Sequence, residues 1–300
     1  MTDEHKDIDQ PTGIETTGHE WDGLKELNNP LPRWWLNIFY ATVVIAVIYM
    51  VLYPAIPLID SYTKGLLNNS DREQVEADVE ALRAERAEKG AGLQTLSLEE
   101  VRSDPALLEF ALAAGASAFG DNCATCHGRG AQGFVGYPNL NDDAWIWGGT
   151  LDAIYTTLLY GIRSGDDQAR FNIMPAYGKD GIFTEDQVND LVEYVVNLSG
   201  READQAAVSR ASTNYEEQCS ACHGLEGKGI QDLGAPNLSD NIWLYGGDRD
   251  ALYQTIYYSR AGVMPGWKNR LTDTTIRALA IYVHSLGGGE EETVEQAALE

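Results

Sequence analysis

The sequence has few basic residues. Its 300 residues include 46 Asp and Glu against 21 Lys and Arg, which gives a formal net charge of −25 at pH 7. Nucleic-acid binding depends on Lys and Arg that neutralise phosphates, so this balance excludes a nucleic-acid partner. An acidic surface of this kind either attracts basic soluble proteins or serves solubility alone, and both readings stay open.

Cysteine is also scarce, since the chain has only four. All four fall in two Cys-x-x-Cys-His motifs, the first frame (residues 123–127) and the second frame (residues 219–223). This spacing is the attachment motif of c-type haem, in which two thiols bond the haem edge and the adjacent imidazole reaches the iron. The sequence therefore predicts two covalently bound haem c groups and a protein that moves electrons. The predicted binding residues are Cys123, Cys126 and His127, and Cys219, Cys222 and His223.

Two other uses of paired thiols must be weighed. Four cysteines could bind one structural zinc ion, but the pairs lie far apart in sequence and such a site would not need the histidines. A single Cys-x-x-Cys pair could act as a redox dithiol, which again leaves His127 and His223 unexplained. Haem accounts for every defining residue of both frames.

Methionine is a third rare residue, with four in the chain. Met174 and Met264 each precede a proline, and each follows one frame at a similar distance in sequence. Proline favours an extended chain around it, and a thioether from such a loop can be the second axial ligand of a haem iron. The soft sulfur favours ferrous iron and raises the reduction potential. We predict that His127, Met174, His223 and Met264 ligate iron.

The segments around the two frames repeat one unit. The first copy carries an extra polar loop at residues 164–168, and the other matched positions keep a constant spacing on each side of it. The matches are Gly115 with Ala211, Phe119 with Tyr215, Pro138 with Pro236, Trp145 with Trp243, Tyr155 with Tyr253, Thr184 with Thr272 and Tyr194 with Tyr282. We expect these residues to pack around haem rather than to react. Because the copies are tandem, each methionine could ligate iron in its own copy or in the other.

Each copy resembles a class I cytochrome c domain, which implies an all-α fold. Helices are predicted over residues 106–121, 185–198 and 273–286, with Thr184 as the N-cap of the second. In this family the first and last helices of a domain cross, and a small residue meets an aromatic one. The expected pairs are Gly115 with Tyr194, and Ala211 with Tyr282.

One long run lacks charge. No charged residue occurs from Trp34 to Ile59, and residues 34–53 are long enough to cross a ~30 Å hydrocarbon layer as a helix. The leader, residues 1–33, is acidic and unlike a signal peptide, so we expect an uncleaved anchor. Because haem is attached to such frames outside the bacterial cytoplasm, we expect a single-pass inner-membrane protein with its N-terminus in the cytoplasm and both haem domains in the periplasm.

The sequence on either side of the anchor resembles one particular family of c-type cytochromes. Residues 26–35 read ELNNPLPRWW, and the span ends with LYPAIPL at residues 52–58. Both are similar to the N-terminal module of the dihaem subunit of cbb3-type cytochrome c oxidase, the CcoP or FixP subunit. The resemblance implies a catalytic haem–copper subunit, which reduces oxygen and pumps protons, a monohaem cytochrome subunit, and a soluble or membrane-bound cytochrome c donor as partners.

The expected architecture is a single N-terminal transmembrane helix followed by two tandem class I cytochrome c domains. Its parts are the cytoplasmic segment 1–33, the anchor 34–53, a linker with a charged helix 54–105, domain 1 at 106–200, domain 2 at 201–288 and a disordered acidic tail 289–300. Arg163 and Arg260 are candidates for contact with haem propionates, whereas His284 is expected to be a packing or surface residue.

The expected role is electron transfer without a catalytic site in this chain, because an iron held by both His and Met has no open position. Two alternatives remain. One is a free membrane-tethered shuttle or the cytochrome subunit of another dehydrogenase. The other is a dihaem peroxidase, which needs a displaceable iron ligand and is disfavoured by the two Met-Pro loops.

Overall fold

A computed structural model describes residues 7–291. As predicted, the structure is mostly helical, and in that range the strands form one two-stranded sheet. The elements are β1 (Thr16–Trp21), β2 (Leu24–Leu27), α1 (Arg33–Leu52), α2 (Asp71–Lys89), α3 (Gly92–Thr95), α4 (Leu98–Ser103), α5 (Pro105–Asn122), α6 (Ala124–His127), α7 (Leu151–Tyr160), α8 (Glu185–Leu198), α9 (Gln205–Gln218), α10 (Ser220–His223), a 3-10 turn (Gln231–Leu233), α11 (Arg249–Tyr258) and α12 (Asp273–His284).

The chain divides into two compact units, at Arg83. The first begins with a β-hairpin that the sequence did not lead us to predict. Asp22 and Gly23 form its turn with φ of 50° and 84°, as a type I′ turn requires. An Asp-Gly pair between short apolar-tipped strands is a strong hairpin signal, so this element was predictable.

Helix α1 is the one helix in the described chain that is long and apolar enough to cross a membrane. It agrees with the predicted anchor to within one residue at each end, and none of its side chains is buried in the structure. The segment after it folds back, and the N–H groups of Leu66 and Leu67 donate to the carbonyls of Val51 and Leu52 at 2.9 and 3.0 Å. These bonds satisfy carbonyl groups that the end of a helix leaves without partners.

Local signals set the ends of the later helices. The Asp104 carboxylate accepts from the N–H groups of Ala106 and Leu107, so α5 begins directly after it with Pro105 in its first turn. Thr184 caps α8 as predicted, and Gln187 completes a capping box. The charged helix α2 is exposed, also as predicted.

The packing of the two copies is interleaved. We define the first lobe as α3 to α7 with α12, and the second lobe as α8 to α11, because α5 packs against α12 and α8 packs against α9. A Cβ atom at Gly115 would lie 2.4 Å from the carbonyl oxygen of Ala278 and 2.5 Å from the Cβ of Tyr282. Each sequence copy therefore gives its last helix to the lobe that holds the other copy's frame.

This packing corrects one expectation. Gly115 meets Tyr282 rather than Tyr194. Ala211 lies in the core of the second lobe with Tyr194, whose ring stacks on Tyr215 at 4.5 Å between centroids. In each lobe a small residue and an aromatic residue share the core, as expected, but the two belong to different copies.

The first lobe also takes in part of the predicted linker. Leu93, Leu98 and Val101 on α3 and α4 are buried in one core with Phe119 and Ile276. Burial of each such side chain contributes roughly 1.5–3 kcal/mol. Residues 92–103 thus belong to the first lobe, and the exposed part of the linker ends with α2.

The start of the acidic tail is held in place. The indole N–H of Trp145 donates to the Gly288 carbonyl at 2.5 Å, and the Glu290 carboxylate accepts from the Gly149 N–H at 2.7 Å and from Gln231 at 2.8 Å. Arg102 makes a bidentate pair with Glu291, both distances being 2.8 Å. The prediction of disorder is wrong for residues 289–291, and residues 292–300 lie outside the described part.

Candidate haem-binding sites

The first frame forms one helical turn at the end of α5. Its backbone closes through the N–H groups of Cys126 and His127, which donate to the Cys123 carbonyl at 3.1 and 2.9 Å. Residues spaced by three and four lie on one helical face, so the turn brings both thiols and the imidazole to the same side. Gly128 ends the turn with φ of 81°, a conformation that favours glycine.

The second frame has the same local geometry at the end of α9. The N–H groups of Cys222 and His223 donate to the Cys219 carbonyl at 3.2 and 2.9 Å, and Gly224 follows with φ of 75°. Two copies of one motif have therefore folded into one arrangement, as their common spacing predicted.

The same hydrogen bond orients the histidine in both copies of the repeat. The Nδ1 atom of His127 lies 3.0 Å from the carbonyl oxygen of Pro138, and Nδ1 of His223 lies 3.0 Å from that of Pro236. A carbonyl can only accept, so Nδ1 must carry the proton and donate, which leaves Nε2 as the atom free to ligate a metal. Burial lowers the pKa of both imidazoles and so favours the neutral, ligating form.

The cysteines are not arranged as a thiolate site. Burial raises the pKa of Cys123 to about 11 and that of Cys219 to about 11, so these thiols stay protonated at neutral pH. Within residues 7–291, no group of three or more His, Cys, Asp or Glu side chains is placed to hold a metal ion. A redox dithiol of low pKa needs the opposite shift, and a zinc site shared by the two frames needs their thiols grouped together. The donor set instead fits a haem held by two thioether bonds and an imidazole.

Met264 lies in the lobe of the first frame. Its side chain packs against the core that contains Cys123 and Phe119. Backbone bonds between Met264 and Ile162 in both directions, at 2.9 and 3.0 Å, hold this loop against the strand-like segment after α7. The methionine of the second copy therefore packs in the lobe that holds the frame of the first copy.

Met174 makes the reciprocal contact. It packs against the core of the second lobe, which contains Tyr215 and against which Cys219 also packs. The Ser259 hydroxyl donates to the Met174 carbonyl at 2.6 Å and ties this loop to the end of α11. Of the two arrangements left open by the sequence, the packing favours the crossed one.

Ser259 is a functional candidate that the sequence did not lead us to single out. Its φ is 62°, in the left-handed region that costs a non-glycine residue strain, and the matched residue of the first copy is Gly161 with φ of 75°. An alignment of the two copies places Ser259 opposite Gly161, and this replacement of a glycine by serine is the sequence signal that could have identified Ser259.

The other predicted polar residues have structural partners. Arg163 donates to the carbonyls of Gly262 and Asn172 at 2.6 and 2.9 Å, and Arg260 donates to that of Tyr245 at 3.1 Å. These bonds brace the methionine loops, and contact with a propionate stays a prediction. His284 lies 3.0 Å from the Glu290 carbonyl oxygen through Nε2, which agrees with the packing role expected for it.

The geometry defines a tandem c-type cytochrome that follows one candidate membrane helix. Three family models match successive parts of the chain: the N-terminal domain of cytochrome oxidase-cbb3, FixP, at residues 13–60, cytochrome c at residues 112–199, and cytochrome c oxidase, cbb3-type, subunit III, at residues 206–283.

Curated relatives are similar over almost their full length. The chain is 50% identical over 282 residues to the cbb3-type cytochrome c oxidase subunit CcoP of Cereibacter sphaeroides, covering 94% of this chain and 97% of the relative. It is 52% identical over 293 residues to the subunit FixP of Bradyrhizobium diazoefficiens, covering 97% and 100%. The chain belongs to the CcoP/FixP family of electron-transfer subunits of cbb3-type cytochrome c oxidase, which confirms the resemblance found in the sequence.

Proposed function

We propose that the chain carries two haem c groups, one on each frame, and passes single electrons from a periplasmic cytochrome donor to the haem–copper subunit. The observation that carries this proposal is the pair of matching frames, each with an imidazole oriented through its Nδ1 atom. When bound, haem supplies a one-electron ferric/ferrous couple. Cys123 and Cys126 would hold one haem through thioether bonds, and Cys219 and Cys222 would hold the other.

The crossed packing supports one assignment of the iron ligands. His127 and Met264 would ligate the iron of the first frame, and His223 and Met174 that of the second. Thioether sulfur stabilises ferrous iron and so keeps both potentials high enough to accept electrons. With both axial positions filled by protein, neither iron would offer a site to oxygen or peroxide, which supports electron transfer over peroxidase activity.

The orientation proposed for the chain has the N-terminus in the cytoplasm, α1 across the inner membrane and both lobes in the periplasm. It is supported by the location of haem attachment outside the cytoplasm. In this position the lobes face a soluble or membrane-bound cytochrome c donor, whereas α1 packs among the helices of the catalytic and monohaem subunits. The net charge of −25 suits a basic donor.

Removal of the anchor tests this assignment. A chain without residues 1–60, secreted with a signal peptide, should fold as a soluble dihaem protein that still takes electrons from its donor. Membranes that contain only this form should lose most of their cytochrome c-dependent oxygen consumption, because delivery to the oxidase would no longer be intramolecular in the complex. The measurements are haem staining after denaturing electrophoresis, donor reduction kinetics and oxygen uptake.

The full-length chain is the control. Higher salt should slow donor reduction by screening, yet should leave the full-length chain attached to the complex. If the intact chain never copurifies with a haem–copper subunit, the oxidase assignment is wrong and the free shuttle replaces it.

Ser259 provides a test of the Met174 loop. Ser259→Ala loses the hydroxyl bond, worth about 1 kcal/mol, and keeps the strained φ. Ser259→Gly loses the same bond but relieves about 1 kcal/mol or more of strain, so it should be the less destabilised of the two in urea unfolding. Both should let added imidazole displace the Met174 sulfur more easily, as seen in optical titration of the second-frame haem.

The first-frame haem is the internal reference for this pair, because its loop is held by Ile162 rather than by a serine hydroxyl. Unchanged imidazole affinity at the second-frame haem in both variants would show that Ser259 does not hold the ligand loop.

A further inference from the structure

The tip of the N-terminal hairpin presents an apolar pair to solvent. Trp21 and Leu24 face each other across the Asp22–Gly23 turn, and their side chains are 66% and 75% exposed. Residues directly opposite each other in an antiparallel pair project to the same face of the sheet. We call Trp21 and Leu24 the tip pair.

An isolated hairpin of this size is only marginally stable. A two-stranded hairpin in water is marginal without a third strand or another element against its apolar face. Asp7 contacts the hairpin at two places: its carboxylate accepts from the hydroxyl of Thr16, at the open end, at 2.9 Å, and pairs with Lys25, the neighbour of Leu24, at 2.8 Å. These contacts leave the side chains of the tip pair exposed.

The hairpin is tied close to the membrane. Only residues 28–32 separate the end of β2 at Leu27 from the start of α1 at Arg33. A chain of that length spans at most on the order of 20 Å. With α1 in the bilayer, the tip pair is therefore restricted to the membrane surface and to the parts of neighbouring proteins that emerge there.

The charge of the hairpin indicates whether the tip pair binds lipid or protein. Residues 7–27 hold six Asp and Glu against one Lys. The cytoplasmic leaflet is anionic and repels such a segment. The cytoplasmic loops of multispanning membrane proteins instead carry an excess of Lys and Arg, which complements the hairpin.

We infer that the tip pair docks on a basic cytoplasmic loop of the multispanning haem–copper subunit, with the surrounding carboxylates facing its Lys and Arg side chains. The inference rests on the proposed orientation and on oxidase membership. It gives the N-terminal segment a second attachment to the complex besides α1, on the side of the membrane opposite to electron transfer.

Site-specific photo-crosslinking in membranes that contain the whole complex tests the contact. A photoreactive aromatic residue replaces Trp21 in one full-length chain and Glu20, on the opposite face of β1, in another. Position 21 should crosslink to the haem–copper subunit, identified by mass spectrometry at a basic loop, and position 20 should give far less of this product. Crosslinks from position 21 only to lipid, or equal products from both positions, would overturn the inference.

Copurification of full-length variants gives an independent readout. The double variant Trp21→Ser/Leu24→Ser should retain several-fold less haem–copper subunit after a high-salt detergent wash, whereas Ile8→Ser, which removes an exposed apolar side chain outside the tip, should match the wild type. If the wild type retains the subunit and the double variant retains it equally, the inference fails and the proposed function stands. If the wild type itself retains none, both fail.

Discussion

A chain in which Cys123 and Cys126 are both replaced by serine should carry one haem in place of two. The first frame would lose both thioether bonds, whereas the second frame and its oriented His223 are unchanged. The second lobe keeps its own core, built on Val188, Leu191 and Tyr215, so haem attachment there should persist. Haem absorbance per chain in a pyridine haemochrome assay should fall by half.

The reciprocal variant, Cys219→Ser/Cys222→Ser, is the matched control and should also retain one haem. Haem that survives denaturing electrophoresis in each double variant, and is absent from the variant with all four cysteines replaced by serine, identifies the covalent sites. Two haems remaining in either double variant, or none in the wild type after denaturation, would contradict the assignment of the frames.

Met174→His should lower the potential of the haem attached to the second frame, and Met264→His that of the haem attached to the first. Imidazole stabilises ferric iron relative to thioether, and axial ligands set haem potentials over a range of roughly 0.8 V. In an optical redox titration, one of two midpoints should move in each variant. The haem whose midpoint moves should be the one attached to the copy of the repeat that does not contain the substituted methionine.

Ile173→His and Val263→His are the controls for these variants. Each places an imidazole one residue before a methionine, at a side chain that is exposed in the structure. These variants should leave both midpoints near the wild-type values. Equal shifts in a methionine variant and its neighbour would show that general disturbance of the loop, and not ligation, causes the change.

Local sequence signals were sufficient for much of the structure. The five-residue motif of each frame forms its own helical turn, and the caps at Asp104 and Thr184 determine where α5 and α8 begin. The uncharged run set α1. In each case the decisive atoms lie within a few residues, so the sequence contains the whole interaction.

The pairing of helices could not be obtained in this way. Tyr194 and Tyr282 are matched residues of the two copies, and either could meet Gly115 with the same local chemistry. Which one does so depends on the connections between lobes and on the whole of both cores. Repeats are ambiguous for this reason, and the same ambiguity left the assignment of Met174 and Met264 open in the sequence.

Composition misled at the end of the chain. A run of Gly and Glu is typical of disorder, yet Glu290 and Glu291 bind groups that are far away in sequence, namely Gly149 and Arg102. Each acceptor meets a donor held in place by the first lobe. Order in this segment comes from tertiary contacts that no local pattern encodes.

The crossed ligation is tested most directly in the single-haem chain. In the Cys123→Ser/Cys126→Ser background the remaining haem is bound by the second frame, so a redox titration reports one midpoint without overlap. Because Met174 and Cys219 pack against the same core, the crossed arrangement predicts that Met174→His lowers this midpoint and that Met264→His leaves it unchanged. A midpoint that falls with Met264→His and stays constant with Met174→His would contradict it.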